Sequence, residues 1–171
     1  MYKVWKATFA SIDLKYATIS IKDGTTPTAN SIEVKIGEGN LTYTERREMI
    51  YTPDRGVLDD VREGDEQPMD VAFDFIWEYI TALSGSGTPT VEDALKKTGE
   101  ASSWVSTDTD VCRPYAVDIE INYVPNCQPT GNTEVITLPD FRWEELNHDL
   151  TAASISCTGK CNAVQATAVR S

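Results

Sequence analysis

The chain has 171 residues, of which 40% are hydrophobic, and this is enough apolar material for one domain with a buried core. Its 15 Lys and Arg residues against 27 Asp and Glu residues give a formal net charge of −12. Such a charge argues against a nucleic-acid reader or a protein bound to an anionic membrane, because both need clustered basic residues. It permits a surface past which nucleic acid moves without adhering.

The first ten residues, MYKVWKATFA, contain lysines but no apolar run, so they do not resemble a secretory signal. No stretch of the sequence reaches the length of a membrane span. We therefore expect the chain to be made and folded in the cytoplasm, with no membrane as its partner.

Alternation of apolar and polar residues with a period of two is the dominant pattern. It covers residues 17–22 and 32–36 and returns at 115–123. Each pattern predicts a strand with one face on a core and one polar face. Turn-forming residues separate the first two strands, in KDGTTPTANS (22–31), and follow the second, in GEGN (37–40).

Residues 42–67 separate two predicted strands by far more than a hairpin turn. Long loops inside compact domains are usually functional or disordered. This one mixes charges of both signs with apolar residues, which favours docking on another protein surface over a solvated loop with a few residues on the core. The candidate docking residues are Arg46, Arg47, Tyr51, Arg55, Leu58, Asp59 and Arg62.

Residues 69–80 predict a long strand with two different faces. The odd positions, from Met69 to Tyr79, are all apolar, whereas Asp70, Asp74 and Glu78 recur among the even positions. A helix would place these three acids in one row of like charges four residues apart, so we predict a strand. One polar face suits both a closed sheet around an aqueous channel and an ordinary sandwich strand.

One helix is predicted at residues 91–98. Thr90 can cap its N-terminus, acids occupy its first turn, lysines occupy its last turn, and Gly99 follows its end. The polar segment at 100–110 reads as a loop with one anchor, Trp104. Shorter strands are predicted at residues 133–138 and 153–158.

Catalytic and cofactor motifs are absent from the sequence. The one histidine, His148, lies in no nucleophile–base arrangement, and no phosphate-binding loop is present. For the four cysteines we favour free thiols, ahead of one or two disulfides and a metal site. They are Cys112, Cys127, Cys157 and Cys161, and Cys157 fits a small buried hydrophobic residue. We therefore predict no enzyme activity, no cofactor and no metal.

The sequence resembles the tail tube proteins, or major tail proteins, of long-tailed bacteriophages. The resemblance rests on the order and spacing of YATISI, SIEVKIGEGNLTYTE, RREMIYTPDRGVLDDVREGDEQPMDVAFDFIWEYIT and RWEELNHDLTAASISCTGKCNAVQATAVR, with the helix near 91–98 between the last two. It spans nearly the whole chain, so we expect a single domain over residues 1–171. The cysteine set is not a general feature of this family.

The resemblance implies a mainly β protomer, a β-sandwich or split barrel with one flanking α-helix. Six such protomers would form a ring, their inner strands would close into one large β-barrel, and stacked rings would form a tube. DNA would pass through without specific binding. The implied location is the virion tail, assembled in the host bacterial cytoplasm, and the other implied partners are the tape measure, terminator and distal tail proteins.

Within this picture the sequence assigns two sets of site residues. The acids Asp70, Asp74, Glu78 and Glu33 would line the lumen and repel the phosphate backbone, with Asp118 and Glu120 as further candidates. The loop at 42–67 would dock on the next ring. Two alternatives stay open, a tail terminator or hub-type ring protein and an unrelated β-sandwich decoration or adhesin module.

Overall fold

The computed structural model describes residues 12–78, 87–124 and 133–170. Within these ranges the chain forms ten strands, one α-helix and two short 3-10 turns, at Leu14–Tyr16 and Gly99–Ala101. The strands and the helix are β1 (Ala17–Lys22), β2 (Ser31–Glu33), β3 (Leu41–Thr44), β4 (Arg47–Asp54), β5 (Val57–Glu66), β6 (Met69–Ile76), α1 (Val91–Lys96), β7 (Val117–Tyr123), β8 (Glu134–Asp149), β9 (Ser154–Cys161) and β10 (Thr167–Arg170).

Eight strands form one antiparallel sheet in the order β2–β1–β7–β8–β9–β6–β3, with β10 paired to the first part of β8. The segment after β2 closes this sheet on itself. The amide of Val34 donates to the carbonyl of Ile19 in β1 at 2.8 Å, and the amide of Ile76 in β6 donates to the carbonyl of Lys35 at 2.8 Å. The result is a split barrel with a flanking helix, which confirms the mainly β class expected from the sequence.

Strand β8 is bent and belongs to both halves of the barrel. Its first part pairs with β7, and its second part, from Phe141 to Asp149, pairs with β9. At the bend Asp140 has φ +51°, and its amide donates to the carboxylate of Asp118 at 2.9 Å. Gly159 of β9 crosses here, where a Cβ atom would lie 2.1 Å from the carbonyl oxygen of Arg142. Only glycine fits this close approach.

The core lies between the two halves of the sheet and under α1. The odd positions of β6 point into it, and Met69 and Phe75 are almost completely buried. This confirms the apolar face that the sequence predicts, although the strand ends at Ile76 rather than at residue 80. Residues 79 and 80 lie outside the described part. Val117, Ile119, Leu138, Phe141 and Ile155 complete the centre of the core.

The predicted loop at 42–67 is wrong in its secondary structure. It contains most of β3 and a separate two-stranded antiparallel sheet formed by β4 and β5. Arg55 (φ +50°) and Gly56 (φ +81°) form the tip, and Asp54 pairs with Val57 across it. Two successive left-handed residues are typical of a type I′ turn, whose twist matches that of the flanking strands. The segment is therefore a long β-hairpin.

Other boundaries also differ from the sequence expectation. The strand predicted at 32–36 is shortened to β2, β7 begins at Val117, and β8 extends eleven residues beyond the predicted end at 138. β10 was not predicted. The helix ends at Lys96 because Lys97, with φ +56°, leaves the helical conformation. The predicted Thr90 cap is confirmed, since its hydroxyl accepts the amide of Asp93 at 3.1 Å.

The predicted anchors of the second half are also buried. Trp104 is 5% exposed, and Cys157 faces the core as the sequence predicts. Cys112, Cys157 and Cys161 are free thiols, and Cys127 lies outside the described residues. Burial raises the pKa of Cys157 to about 12, so this thiol behaves as a small apolar side chain.

Candidate assembly surfaces

Four strands, β3, β6, β9 and the second part of β8, present a continuous polar surface on the side away from the core. Because side chains alternate along a strand, the partners of buried Phe73 and Cys157 point inward and their neighbours point outward. We call these outward residues the polar sheet face. They are Thr42, Thr44, Asp70, Ala72, Asp74, Arg142, Glu145, Asn147, Asp149, Ser154, Ser156, Thr158 and Lys160.

Two of the four predicted lumen acids lie on this face, in different electrostatic settings. Asp70 forms an ion pair with Arg46 and lies 3.9 Å from Lys160, so its charge is balanced within the chain. Asp74 stands opposite Ser156 and forms no ion pair with the described residues. Of these two acids, only Asp74 carries a negative charge that no ion pair among the described residues balances.

The other two predicted lumen acids lie elsewhere. Glu78 follows the end of β6, and Lys35 binds it at 2.8 Å. The hydrogen bond and the charge of Glu78 raise the pKa of Lys35. Glu33 lies in β2, opposite Ser20 of β1, and thus on the other half of the barrel. The four acids that the sequence predicts in the lumen therefore do not form one cluster, and only Asp70 and Asp74 share the polar sheet face.

The further candidates Asp118 and Glu120 also lie on the other half, in β7. Glu120 forms an ion pair with Lys22 at 2.7 Å. Burial raises the pKa of Asp118, and the neighbouring Asp140 and Glu120 charges act in the same direction. Two acids that the sequence analysis missed, Glu145 and Asp149, do lie on the polar sheet face, opposite Thr158 and Ser154.

The β4–β5 hairpin exposes almost all of its side chains. Among the described elements, β4 and β5 make extensive contacts only with each other. Tyr51 pairs with Val61, and Pro53 pairs with Leu58, so apolar side chains share one side of the hairpin. We call this side the apolar hairpin face, and its members are Met49, Tyr51, Pro53, Leu58 and Val61. Leu58 is 71% exposed and Tyr51 is 59% exposed, which is unusual for residues of this size.

The predicted docking residues are distributed along the whole hairpin. Arg46 and Arg47 lie at its base, where they pair with Asp70 and Glu63. Arg55 is at the tip, and its side chain is 90% exposed with Asp54 3.8 Å away. Asp59 lies at an irregularity in the pairing, and Arg62 pairs with Ile50 on the side opposite the apolar hairpin face.

The hairpin base is fixed to the barrel. Besides the Arg46–Asp70 ion pair, the carboxylate of Glu45 accepts the amide of Ala166 at 2.8 Å, in the connection between β9 and β10. A polar cleft of about 420 Å³ lies at this base, between residues 45–48, 63–66 and 164–165. These contacts hold the first residues of the hairpin, whereas no comparable contact with the barrel is found at its tip in the described part of the chain.

An open cleft of about 510 Å³ lies at the other end of β6 and β9. We call it the end cleft. It is lined by residues 36–39, by Asp74 and Ile76 of β6, and by residues 152–154 and 156. Ile76 is 40% exposed there, and Glu38, like Asp74, forms no ion pair with the described residues. The end cleft thus combines an apolar wall with two uncompensated carboxylates.

Two backbone edges of the four-stranded unit are open in the described part of the chain. β3 pairs only with β6, so its outer edge has no partner strand. From Arg142 to Asp149, β8 pairs only with β9. Unpaired edges are sites where another strand can add.

The remaining polar clusters have structural explanations. The carboxylate of Asp23 accepts five hydrogen bonds, from Thr25, Asn30 and Val105. Burial would raise the pKa of Asp23, but these bonds together lower it. His148 contacts the ring of Trp77 and lies 3.0 Å from Glu92, so it joins α1 to β8.

In residues 12–78, 87–124 and 133–170 no cluster of three potential metal-binding side chains is found. The helices of the described part include none that is long and apolar enough to cross a membrane.

Comparison with known proteins gives a fold likeness only. No family model matches the sequence, and no curated protein matches it. A chain in the cryo-EM structure of the anti-feeding prophage cap (AFP tube terminating cap) is similar over 96% of this chain and 95% of that chain, with a TM-score of 0.58 and 10% identity. A chain of the 6-fold symmetrised anti-feeding prophage baseplate gives a TM-score of 0.43, 8% identity and coverage of 96% and 97%. This chain therefore shares the fold found in the tube-terminating cap structure.

Proposed function

We propose that this chain is a structural subunit of a phage tail or phage-like tube, which assembles into hexameric rings that stack. In this assembly the polar sheet face lines the channel, and the β4–β5 hairpin docks on a neighbouring copy. DNA passes through the channel without specific binding. The location is the virion tail, and the partners are other copies and other tail proteins.

The apolar hairpin face is the observation that carries this proposal. A stretch of exposed Tyr51, Leu58 and Val61 on a hairpin with no packing partner among the described elements is costly in water and marks a protein–protein interface. The fold likeness to a chain of a tube-terminating cap structure indicates which kind of assembly would cover it.

The open edges support ring closure. β3, β6, β9 and β8 alternate in direction, so the two outermost strands of this four-stranded unit run in opposite directions. The β3 edge of one copy can therefore add to the β8 edge of the next and continue an all-antiparallel sheet. Such a head-to-tail contact gives a ring when the rotation between copies closes. A closed barrel would leave no exposed edge.

The charge of the channel wall follows from the same geometry. Glu145 and Asp149 would supply negative charge to the lumen, while Asp70 is largely balanced by Arg46 and Lys160. The wall is otherwise made mostly of short Ser, Thr and Ala side chains. A smooth, acidic wall repels phosphate and offers no binding pockets, which suits the passage of DNA.

Electron microscopy of the purified, concentrated chain tests the proposal. We expect six-fold rings or tubes, in which the polar sheet face surrounds the central channel. A variant with Glu145→Lys and Asn147→Lys, two residues of the polar sheet face outside the end cleft, should add side-chain density inside the channel. Monomers at every concentration, or these side chains on the outer surface of the tube, would overturn the proposal.

A second candidate function is a tail terminator or cap, which shares the protomer fold but ends a tube. The likeness to a chain of the tube-terminating cap structure favours this candidate. The two functions differ in length control. A tube subunit forms long filaments by itself, whereas a terminator forms single rings that bind the end of a tube made by another protein.

A further inference from the structure

The hairpin and the end cleft lie at opposite ends of the same strands. Thr44 of β3 pairs with Asp70 of β6, and Arg47 of β4 pairs with Glu66 of β5, so the hairpin prolongs the β3–β6 pair beyond its Asp70 end. The end cleft lies where β6 reaches Ile76, roughly 20 Å away at 3.3 Å per residue. The eight residues of β4 give the hairpin a length of about 25 Å from this base to its tip.

The tip carries a positive charge with little compensation. Arg55 is held in a left-handed conformation, with its side chain 90% exposed and only the exposed Asp54 nearby. Val57 and Leu58, 69% and 71% exposed, follow it directly after Gly56. The arginines at the hairpin base are already paired with acids, so among the described residues Arg55 is the basic group at the free end.

The end cleft has the complementary chemistry. Asp74 and Glu38 supply two carboxylates without an ion-pair partner among the described residues, and Ile36 and Ile76 supply an apolar wall. Gly37 and Gly39 line the same cleft, and a Cβ atom at Gly39 would lie 2.6 Å from the Cβ of Asp74, so this loop lies directly against β6. Its volume of about 510 Å³ lies within the range of sites that hold several side-chain-sized groups.

We propose that the hairpin tip of one copy inserts into the end cleft of the next copy, with Arg55 facing Asp74 and Glu38 and with Val57 and Leu58 against Ile36 and Ile76. This inference rests on the proposed function and specifies its ring-to-ring contact. The hairpin is attached at one end of these strands and the end cleft lies at the other end, so the tip reaches the end cleft of another copy rather than its own. The contact is therefore repeated along the strand direction and extends the assembly without limit.

Charge exchange between the two sites tests the contact. Arg55→Glu should raise the concentration needed for assembly roughly tenfold, as expected when one ion pair at an interface is lost. Asp74→Arg should have a similar effect, and the double variant Arg55→Glu/Asp74→Arg should recover most of the assembly. Sedimentation and negative-stain microscopy measure the assembled fraction. Lys15→Glu is the control, because it reverses an exposed positive charge outside both the hairpin and the end cleft.

Cysteine cross-linking gives an independent measurement. In a Cys112→Ser/Cys127→Ser background, Arg55→Cys combined with Glu38→Cys should form disulfide-linked oligomers when oxidised glutathione is added to assembled protein. The residual Cys157 and Cys161 are buried and should not react. Circular dichroism checks that each variant folds.

The outcomes separate this inference from the proposed function. If the wild-type chain never associates, both are overturned. If it associates but Arg55→Glu assembles like wild type, or the double variant assembles no better than the single variants, the tip-and-cleft contact is wrong and the structural role stands. Recovery by the double variant, together with disulfide cross-links between the two introduced cysteines, supports the contact.

Discussion

The barrel core and the β4–β5 hairpin differ in what completes them, although β5 and β6 are separated by only two residues. Along β6 every odd side chain from Met69 to Phe75 is at most 2% exposed. Along the hairpin Tyr51, Leu58 and Val61 are more than half exposed. Both segments are antiparallel strands with apolar residues on one face. Only the first finds its partner within the described part of the same chain.

This contrast shows that strand formation and burial are separate problems. Local pairing and a type I′ turn are enough to define the hairpin backbone, but an isolated two-stranded unit is marginally stable in water. The apolar side chains of the barrel are buried within the described part of the subunit, whereas those of the hairpin are exposed. Four substitutions test this difference between the two regions, beginning with the most destabilising.

Removing buried volume from the barrel should be severe. Leu138 is fully buried, so Leu138→Ala should lower the free energy of unfolding by about 2–5 kcal/mol through lost burial and the cavity left behind. Chemical denaturation of dilute subunit measures this change. A loss below about 1 kcal/mol would show that the core is loosely packed and would remove the contrast with the hairpin.

Removing an internal polar connection should cost less. Asp23 is 4% exposed and accepts five hydrogen bonds, so Asp23→Ala leaves several donors without a partner. We expect a loss of about 1–3 kcal/mol in the free energy of unfolding, measured by denaturation. Asp13→Ala, at an exposed acid that accepts one amide, is the control and should change little. Equal effects of the two substitutions would contradict the structural role of Asp23.

The acid sensitivity of the barrel should depend on Asp108. The hydrogen bond from Arg142, followed by the amide of Asp110, lowers the pKa of Asp108 from 3.8 to about 2. A lowered pKa in the folded state means that the stabilisation is complete above about pH 4 and is lost as the pH falls through about 2. Asp108→Asn should therefore reduce stability at neutral pH, and its difference from wild type should vanish near about pH 2.

Denaturation curves between about pH 2 and pH 7 test this pH dependence. Asp59→Asn on the hairpin is the control, since Asp59 forms no ion pair with the described residues. A difference between Asp108→Asn and wild type that stays constant across the whole range would rule out the linkage.

The smallest effect on the isolated subunit should come from the hairpin. Leu58→Ala changes the same residue type as Leu138→Ala, but Leu58 is 71% exposed. The free energy of unfolding of dilute subunit should change by less than about 0.5 kcal/mol, while the assembled fraction seen by sedimentation falls. Thr52→Ala, on the other side of the hairpin, should leave both unchanged. A large loss of stability in Leu58→Ala would mean that the hairpin packs on its own barrel.

The sequence predicts those strands that have one buried and one polar face. β1, β6 and β7 follow a strict period of two, so their burial could be read directly from the alternation. Only an apolar face is buried in the core at little cost, and side chains alternate between the two faces of a strand. The alternation in the sequence therefore matches the observed burial of these strands. The capping residues of α1 were equally readable, because Thr90 and Asp93 bond to each other's backbone.

The sequence does not reveal elements where this rule fails. In the second part of β8 an irregularity between Trp143 and Glu145 inserts one residue, so the inward positions Phe141, Trp143, Leu146 and His148 no longer alternate simply. The hairpin has no buried face at all, and its pattern therefore looked like a loop. Its turn residues, Arg55 and Gly56, were the one local signal for a hairpin.

The candidate site was predictable in part. Asp74 is outward-facing, as its position in the strand indicates, but the charge balance of Asp70 depends on Arg46 and Lys160, which are distant in sequence. Glu145 and Asp149 could not be assigned to the same face without the register between β8 and β9. Long-range pairing, rather than local pattern, decides which acids share a surface.

The bent strand β8 also has a mechanical consequence. It hydrogen-bonds to β7, β9 and β10, so neither half of the barrel can open without breaking bonds to this one strand. Amide hydrogen exchange in β7 and β9 should therefore occur in a single cooperative step, while the hairpin amides exchange independently and early. Under mechanical load the hairpin of such a subunit can therefore unfold while the barrel stays folded.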